Sequence, residues 1–326
     1  MARVAVVGAG VMGLATGRAL ARAGHEVVVR ERFRLGHDRG SSHGRSRIVR
    51  LAYADPEWVA LAREAMDGWR ALERESGERL LELDGLLEVV TDLAESSAAG
   101  LDALGIPWER LDAAEAERRF PVRVPERSFA VFQAEAGIVR ADRALRAFAE
   151  GLDVREEAPV ESLDDVEGDA VVVAAGSWVN DLVEPPLPVR VTRETVCYFR
   201  LDHDGAVPAV VSFRPDTTGH DFYALADPVH GLKVGAHHAG AETDPDVPGE
   251  PDPRIVERIA DWAGAHFDLA APEPVAAESC LYTTMPDERF VLERRGRVVV
   301  CSACSGHGFK FAPVIGARAA ALAVGA

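Results

Sequence analysis

The residues best placed to do chemistry come first in the chain. Gly8, Gly10 and Gly13 follow directly on the apolar run Val4 to Val7, and Glu31 lies just past a second apolar run, Val27 to Val29. A short all-apolar run suits a strand covered on both faces of a parallel sheet. In a strand–turn–helix unit, glycines at this spacing permit the tight turn, the close approach of backbone to a pyrophosphate, and close packing of helix on strand. The helix N-terminus then turns its free N–H groups toward the phosphates. Gly24 is placed to end that helix. Glu31 lies eighteen residues beyond Gly13, where a carboxylate can accept from both hydroxyls of a ribose and so favours an adenosine with a free 2′-hydroxyl. A lone glycine motif says little, but here strand, turn, helix, second strand and acid arrive in order, which predicts dinucleotide binding. A cleaved leader built on Arg3 and the small residues from Ala19 to Ala23 is the rival. It is disfavoured because glycines break the apolar stretch and a second strand with a placed acid follows.

Two further groups of residues stand out. Arg45, Arg47 and Arg50 cluster in a chain of net charge −17; they are either a solvated basic face or guanidinium groups delivered to the ring end of the cofactor, and spacing alone does not decide. Near the C-terminus, Ser305-Gly306-His307-Gly308 precedes Lys310 and a final helix expected from about Val314, a donor-rich turn able to set N–H groups against an anionic ring position. Cys301-x-x-Cys304 lacks a second ligand pair and reads as packing. His237-His238 has no carboxylate or third histidine at ligand spacing, so no metal is expected.

The elements that must position these residues follow from pattern. Pro56 to Ser76 reads as a helix with Trp58, Leu61, Ala65 and Trp69 on one face, and Asp112 caps a short helix to Phe120. Gly85–Val90, Ser128–Gln133, Thr192–Leu201, Ala209–Phe213, Asp221–Ala226 and Gly231–His237 are short strand-like runs that suggest an antiparallel sheet. Ala141 to Ala149 is helical. Ala170 to Ala174, followed by Ala175-Gly176-Ser177-Trp178, has the character of a parallel strand and marks a return to the nucleotide unit. The stretch from Glu242 to Pro253 reads as a surface loop. At 326 residues and 48% hydrophobic content the chain can fill two cores. The acidic balance gives no electrostatic help toward nucleic acid or an anionic membrane. No apolar run approaches the ~18 residues of a membrane span, and four cysteines are too few for a disulfide scaffold, so a cytoplasmic location is expected.

Four stretches together resemble the flavin-dependent amine oxidases of the monomeric sarcosine oxidase and N-methyltryptophan oxidase group, within the wider D-amino-acid-oxidase-like (DAO) fold. They are Gly8 to Gly13 with Glu31; Ser42-His43-Gly44 through Arg47 to Tyr53; Gly231 to His237; and Cys280-Leu281-Tyr282-Thr283 with Ser305 to Phe311. The resemblance implies FAD, attached through sulfur at Cys280. It implies cofactor contacts from Gly8, Gly10, Val11, Met12 and Gly13, from Glu31 and Arg32, from Ser42, His43, Ser46 and Arg47, from Ala175, Gly176 and Trp178, and from Gly306, His307, Gly308, Phe309 and Lys310. Lys233 matches the lysine that activates oxygen, Arg50 and Lys310 the pair that clamps a substrate carboxylate, and Arg47 an arginine packed near the flavin. His237, His307 and, across a one-residue gap, Tyr223 match residues lining the substrate cavity. Asp55 stands where the group has glutamate, and Leu51 where it has histidine.

The expected class is therefore α/β (α+β overall), a Rossmann-like FAD-binding domain with an interleaved antiparallel-sheet substrate domain. The first would comprise residues 1–76, 137–190 and 280–326, the second 77–136 and 191–279. The function implied is oxidation of a secondary or cyclic amino acid to an imine by a monomer that takes a small amine and O2, with no nucleic-acid or membrane partner. An FAD dehydrogenase using another acceptor and a non-catalytic dinucleotide-binding protein remain as alternatives.

Overall fold

The structure, a computed structural model, describes residues 1–212 and 219–325; Phe213, the last residue of one expected strand, lies outside them. The first strand, Arg3–Val7, is the centre of a six-stranded sheet. It pairs in parallel with Glu26–Arg30 on one side and Ala170–Val173 on the other. Asp153–Arg155 and Val298–Ser302 extend the sheet in parallel, and Val291–Arg295 closes one edge antiparallel. The apolar runs are continuous because both faces are covered. Val4, Val6, Ala170, Val172 and Val299 face the core shared with the helices Val11–Arg22 and Ala312–Val324, whereas Ala5, Val7, Val171, Val173 and Val300 pack against Val179, Val183 and Leu187. Each fully buried valine contributes roughly 1.5–3 kcal/mol. The two helices cross closely because Gly316 has no side chain: a Cβ there would sit 2.6 Å from that of Ala15.

A nine-stranded sheet forms the second layer. Its order is Ala241–Glu242, Arg190–Phe199, Gly231–Ala236, Phe222–Asp227, Ala209–Ser212, Leu86–Val90, Phe129–Gln133 and Glu109–Asp112, with Ala276–Thr284 also paired along Arg190–Phe199. The sequence suggests an antiparallel sheet; the structure makes it mixed, because Ala209–Ser212 lies parallel to Leu86–Val90. More than a hundred residues separate those two strands, so no hairpin dictates their relative direction. A division of the chain at residue 280 would cut the strand Ala276–Thr284, whereas a boundary after Thr284 keeps the sheet whole.

The basic segment, to which the sequence pattern assigns no element, contains a strand. Ser46–Val49 is a strand, paired antiparallel with Gly137–Arg140, which also holds Leu81–Glu82. Just beyond it the Leu51 N–H donates to the buried Gln133 Oε1 at 3.0 Å, fixing the chain on either side of Arg50. The helix Pro56–Ser76 has the expected ends: Asp55 accepts from the Glu57 N–H, Pro56 opens the first turn, and Gly77 at φ 70° terminates it. Its buried stripe runs through Val59, Ala62, Ala65, Met66, Trp69 and Leu72, so Trp58 and Leu61 sit at its flank. The last helix starts at Ala312, two residues earlier than expected, with a 3₁₀ turn, Gly308–Phe311, set between it and the Gly-His-Gly sequence. Pro313 fits its first turn, where an N–H has no partner to lose. No described helix is long and apolar enough to cross a membrane.

Candidate active site

One cavity of about 510 Å³ runs between the two large sheets, and every expected site residue lines it except Gly13. At one end is the glycine turn. Gly8 adopts φ 102°, and a Cβ there would lie 2.5 Å from the Ala174 carbonyl oxygen. A Cβ on Gly13 would fall 1.9 Å from the carbonyl oxygen of Gly8, so Gly13 shapes the turn from beneath. Glu31 is buried, with Oε2 accepting from the Ala9 N–H at 2.6 Å and Oε1 from the Phe33 N–H at 2.9 Å. The carboxylate thereby ties the turn to the end of the second strand, has His37 Nε2 3.5 Å from Oε1, and lines the cavity. At the first helix, the Val11 N–H donates to Ser42 Oγ at 3.1 Å, so the N-terminus is partly capped from the following loop.

The opposite end is cationic. Arg47 spans the 41–46 loop, donating to the carbonyl oxygens of Ser41, His43 and Ser46, with its guanidinium 5.6 Å from the Phe309 ring. Arg50 lies against Tyr53, 4.6 Å from the ring centroid. Lys310 is 7% exposed and donates to the His307 carbonyl oxygen at 2.7 Å. Burial, then the nearby Arg50 charge, hold its ammonium well below the usual lysine range. Lys233 is 5% exposed; burial first, then Arg47, bring it down to about 7. Lys233 is therefore no ordinary strand lysine with its amine in solvent. Cys280 faces the same space; burial pushes its thiol up to about 11, with Arg47 and Lys233 pulling the other way.

Histidines and aromatic rings form the wall between. Burial keeps His237 and His307 neutral, each lowered to about 3, and His43 to about 4. The tautomer of His307 follows from its partners: Nε2 lies 3.2 Å from the Glu288 carbonyl oxygen, which can only accept, so Nε2 carries the hydrogen and Nδ1 accepts from the Tyr53 hydroxyl at 3.3 Å. Trp58, Phe290 and Phe311 pack around that ring. Tyr223 lines the cavity beside Gly235, where a Cβ would overlap its ring at 2.5 Å. A Cβ on Gly306 would similarly meet Tyr282 and His237, and one on Gly308 the Ala303 carbonyl oxygen.

Some lining residues have no signature in the sequence. Asp246, in the stretch read as a surface loop, pairs with Arg32 at 2.9 Å, accepts from Trp178 Nε1 at 2.8 Å, and lines the cavity. Cys304, read as packing, also reaches the cavity, with Sγ accepting from the Thr283 N–H. Tyr198 lies beneath Lys233 and donates to the Glu278 carboxylate at 2.7 Å. Each depends on contacts over tens of residues that spacing does not encode.

The cavity suits an FAD. It has a glycine cradle that side chains would fill, an acid at the end of the second strand, and a buried Ser46 Oγ with no hydrogen-bond partner. The family of FAD dependent oxidoreductases (DAO) matches residues 3–322. The peroxisomal sarcosine oxidase of Mus musculus is 32% identical over 349 residues, spanning 95% of this chain and 89% of that protein. The monomeric sarcosine oxidase of Arthrobacter sp. is 29% identical over 360 residues, 98% of this chain and 92% of that one. Among solved structures, NikD, described as an unusual amino acid oxidase essential for nikkomycin biosynthesis, superposes with a TM-score of 0.86 at 28% identity, covering 99% of this chain and 94% of its own. Fold, cavity and full-length similarity agree that this chain belongs to the DAO family of FAD-dependent oxidoreductases.

Proposed function

We propose that the protein oxidises the C–N bond of a secondary or cyclic amino acid, of sarcosine, N-methyl amino acid or pipecolate type, to an imine, with O2 reduced to hydrogen peroxide. The observation that carries this reading is the set of three cationic side chains, buried Lys310 and Lys233 with half-buried Arg50, in the cavity that begins at the glycine turn. A chain of net charge −17 has no general reason to bury cations, whereas a small carboxylate gives them one. When bound, FAD supplies the two-electron redox chemistry.

The side chains have distinct tasks. Arg50 offers a planar fork and Lys310 a point charge, a combination suited to holding a carboxylate in one orientation. Neutral His237 and His307 place no strong base or full charge at the amine end, so the substrate amine is taken up uncharged. Tyr223 and His237 bound the space beside it, and Tyr53 fixes the His307 ring. Lys233 provides positive charge where negative charge develops on oxygen, electrostatic stabilisation supplied in advance. Cys280 lines the same cavity as Arg47 and Lys233, a position that supports covalent attachment of the flavin at that sulfur. The glycine turn, Glu31, Arg32 and the 42–47 loop would hold the dinucleotide, Trp178 and Ala175-Gly176 its adenosine side, and Gly306 to Phe309 its ring. On this reading residues 1–76, 137–190 and the chain after Thr284 form the cofactor unit, and 77–136 with 191–284 the substrate unit. We further propose a monomer in a reducing cytoplasm, a compartment that the four free cysteines support.

The test is a screen of N-methyl and cyclic amino acids against the purified yellow protein under argon, followed by admission of air. The expected result is bleaching by at least one of them and stoichiometric peroxide on reoxidation. Bleaching without peroxide would make the protein a dehydrogenase, and no bleaching by any of these amines would overturn the substrate class.

A further inference from the structure

We propose that His237, His238 and Glu288 form a binding site for a divalent metal of the zinc type at the rim of the cavity. In a continuing strand, consecutive side chains point to opposite faces. Here the strand Gly231–Ala236 stops, and His238 adopts φ 54°, which brings its ring alongside that of His237 with centroids 4.1 Å apart. Glu288 arrives from the turn before Val291–Arg295, itself at φ 57°, with Oε1 3.4 Å from His238 Nε2. One donor atom from each of the three residues lies within 4.8 Å of the others.

The state of His238 points to a missing ligand. Its Nδ1 is buried and makes no hydrogen bond, and its Nε2 has only the Glu288 carboxylate at 3.4 Å, whereas both nitrogens of nearby His307 are hydrogen-bonded. A buried imidazole nitrogen with no partner is uncommon. Two imidazoles and a carboxylate with a fourth position open are the donor set of a tetrahedral zinc site, and nitrogen donors select against magnesium and calcium. The Glu288 carbonyl oxygen accepts from His307, which anchors the turn that carries the carboxylate. No carboxylate stands at ligand spacing beside the pair in the sequence; folding brings Glu288 to it from fifty residues away. A bound ion would join the end of the strand to this turn and fix His237 at the cavity wall, so zinc would inhibit turnover; that consequence rests on the function proposed above, but the binding does not.

Zinc chloride titrated calorimetrically into flavin-loaded protein, stripped of metal beforehand, tests the site. The expected result is one ion bound at neutral pH, with affinity weakened roughly tenfold or more in both His238→Ala and Glu288→Gln. Flavin absorbance and melting temperature serve as controls for folding; should His238→Ala misfold, Glu288→Gln in its exposed turn decides alone. No stoichiometric zinc binding, or unchanged affinity in the correctly folded variants, would overturn the site and leave His238 and Glu288 an ordinary ion pair. The calorimetric readout involves no substrate, so it fails or succeeds separately from the amine screen.

Discussion

The two ends of the cavity are built on opposite principles. At the glycine end the polar groups already have partners: Glu31 accepts from the Ala9 and Phe33 N–H groups, and the Val11 N–H has Ser42 Oγ. All but Ser42 lie in the first strand–helix–strand unit or directly after it. At the cationic end, Arg50, Lys233 and Lys310 come from distant segments, and the two lysines are crowded into a space where burial works against their charge. The first end is a finished shape that a dinucleotide can occupy. The second is an electrostatic imbalance that an anion would relieve.

Breaking the cationic end should show most strongly in rates. Lys233→Met is expected to slow reoxidation by O2 on the order of 100- to 1000-fold while changing anaerobic reduction by the amine little, as for loss of one preorganised electrostatic group. Stopped-flow measurement of the two half-reactions separates them, and equal loss in both would remove Lys233 from the oxygen step. Breaking the glycine end should show instead in cofactor retention. Gly13→Ala puts a Cβ 1.9 Å from the Gly8 carbonyl oxygen, forcing a backbone shift that costs about 1–3 kcal/mol or more; flavin content per mole of protein should fall, and full flavin content would show that the turn can yield.

Arg50→Ala should weaken carboxylate binding by about 1.5–3 kcal/mol, the usual range for a hydrogen bond to a charged group. Acetate binding, followed by perturbation of the flavin spectrum, reads this, and unchanged affinity for every acid would exclude the residue from the clamp. The smallest effect concerns pH. Lys310 is held below the usual lysine range, so its ammonium is present at low pH and lost as pH rises through that lowered value. Acetate affinity should therefore fall with rising pH, and Lys310→Gln should flatten the dependence. A slope retained in the variant would assign the titration to another group.

The same contrast explains what the sequence makes legible. Gly8, Gly13 and Glu31 are readable because the turn they shape is local, and the bounds of the helix Pro56–Ser76 are readable for the same reason. The parallel pairing of Leu86–Val90 with Ala209–Ser212 is not, since nothing near either strand encodes its neighbour. Lys233 by itself is indistinguishable from a surface strand lysine; only the resemblance singles it out, and only the fold shows it buried beside Tyr198 and Arg47. Asp246 is hidden in a stretch whose proline and aspartate content signals a loop correctly but says nothing of where one carboxylate points. Glu288 is hidden in the same way, because the turn that carries it meets His238 only after the two large sheets have come together.

The central proposal, that the residues between the basic segment and the Gly-His-Gly turn would hold a flavin bonded through Cys280, is tested most directly by acid precipitation. Yellow colour should stay with the pellet of the wild-type protein and pass to the supernatant for Cys280→Ser. Flavin released from the wild type, or retained in the pellet of the variant, would contradict that placement.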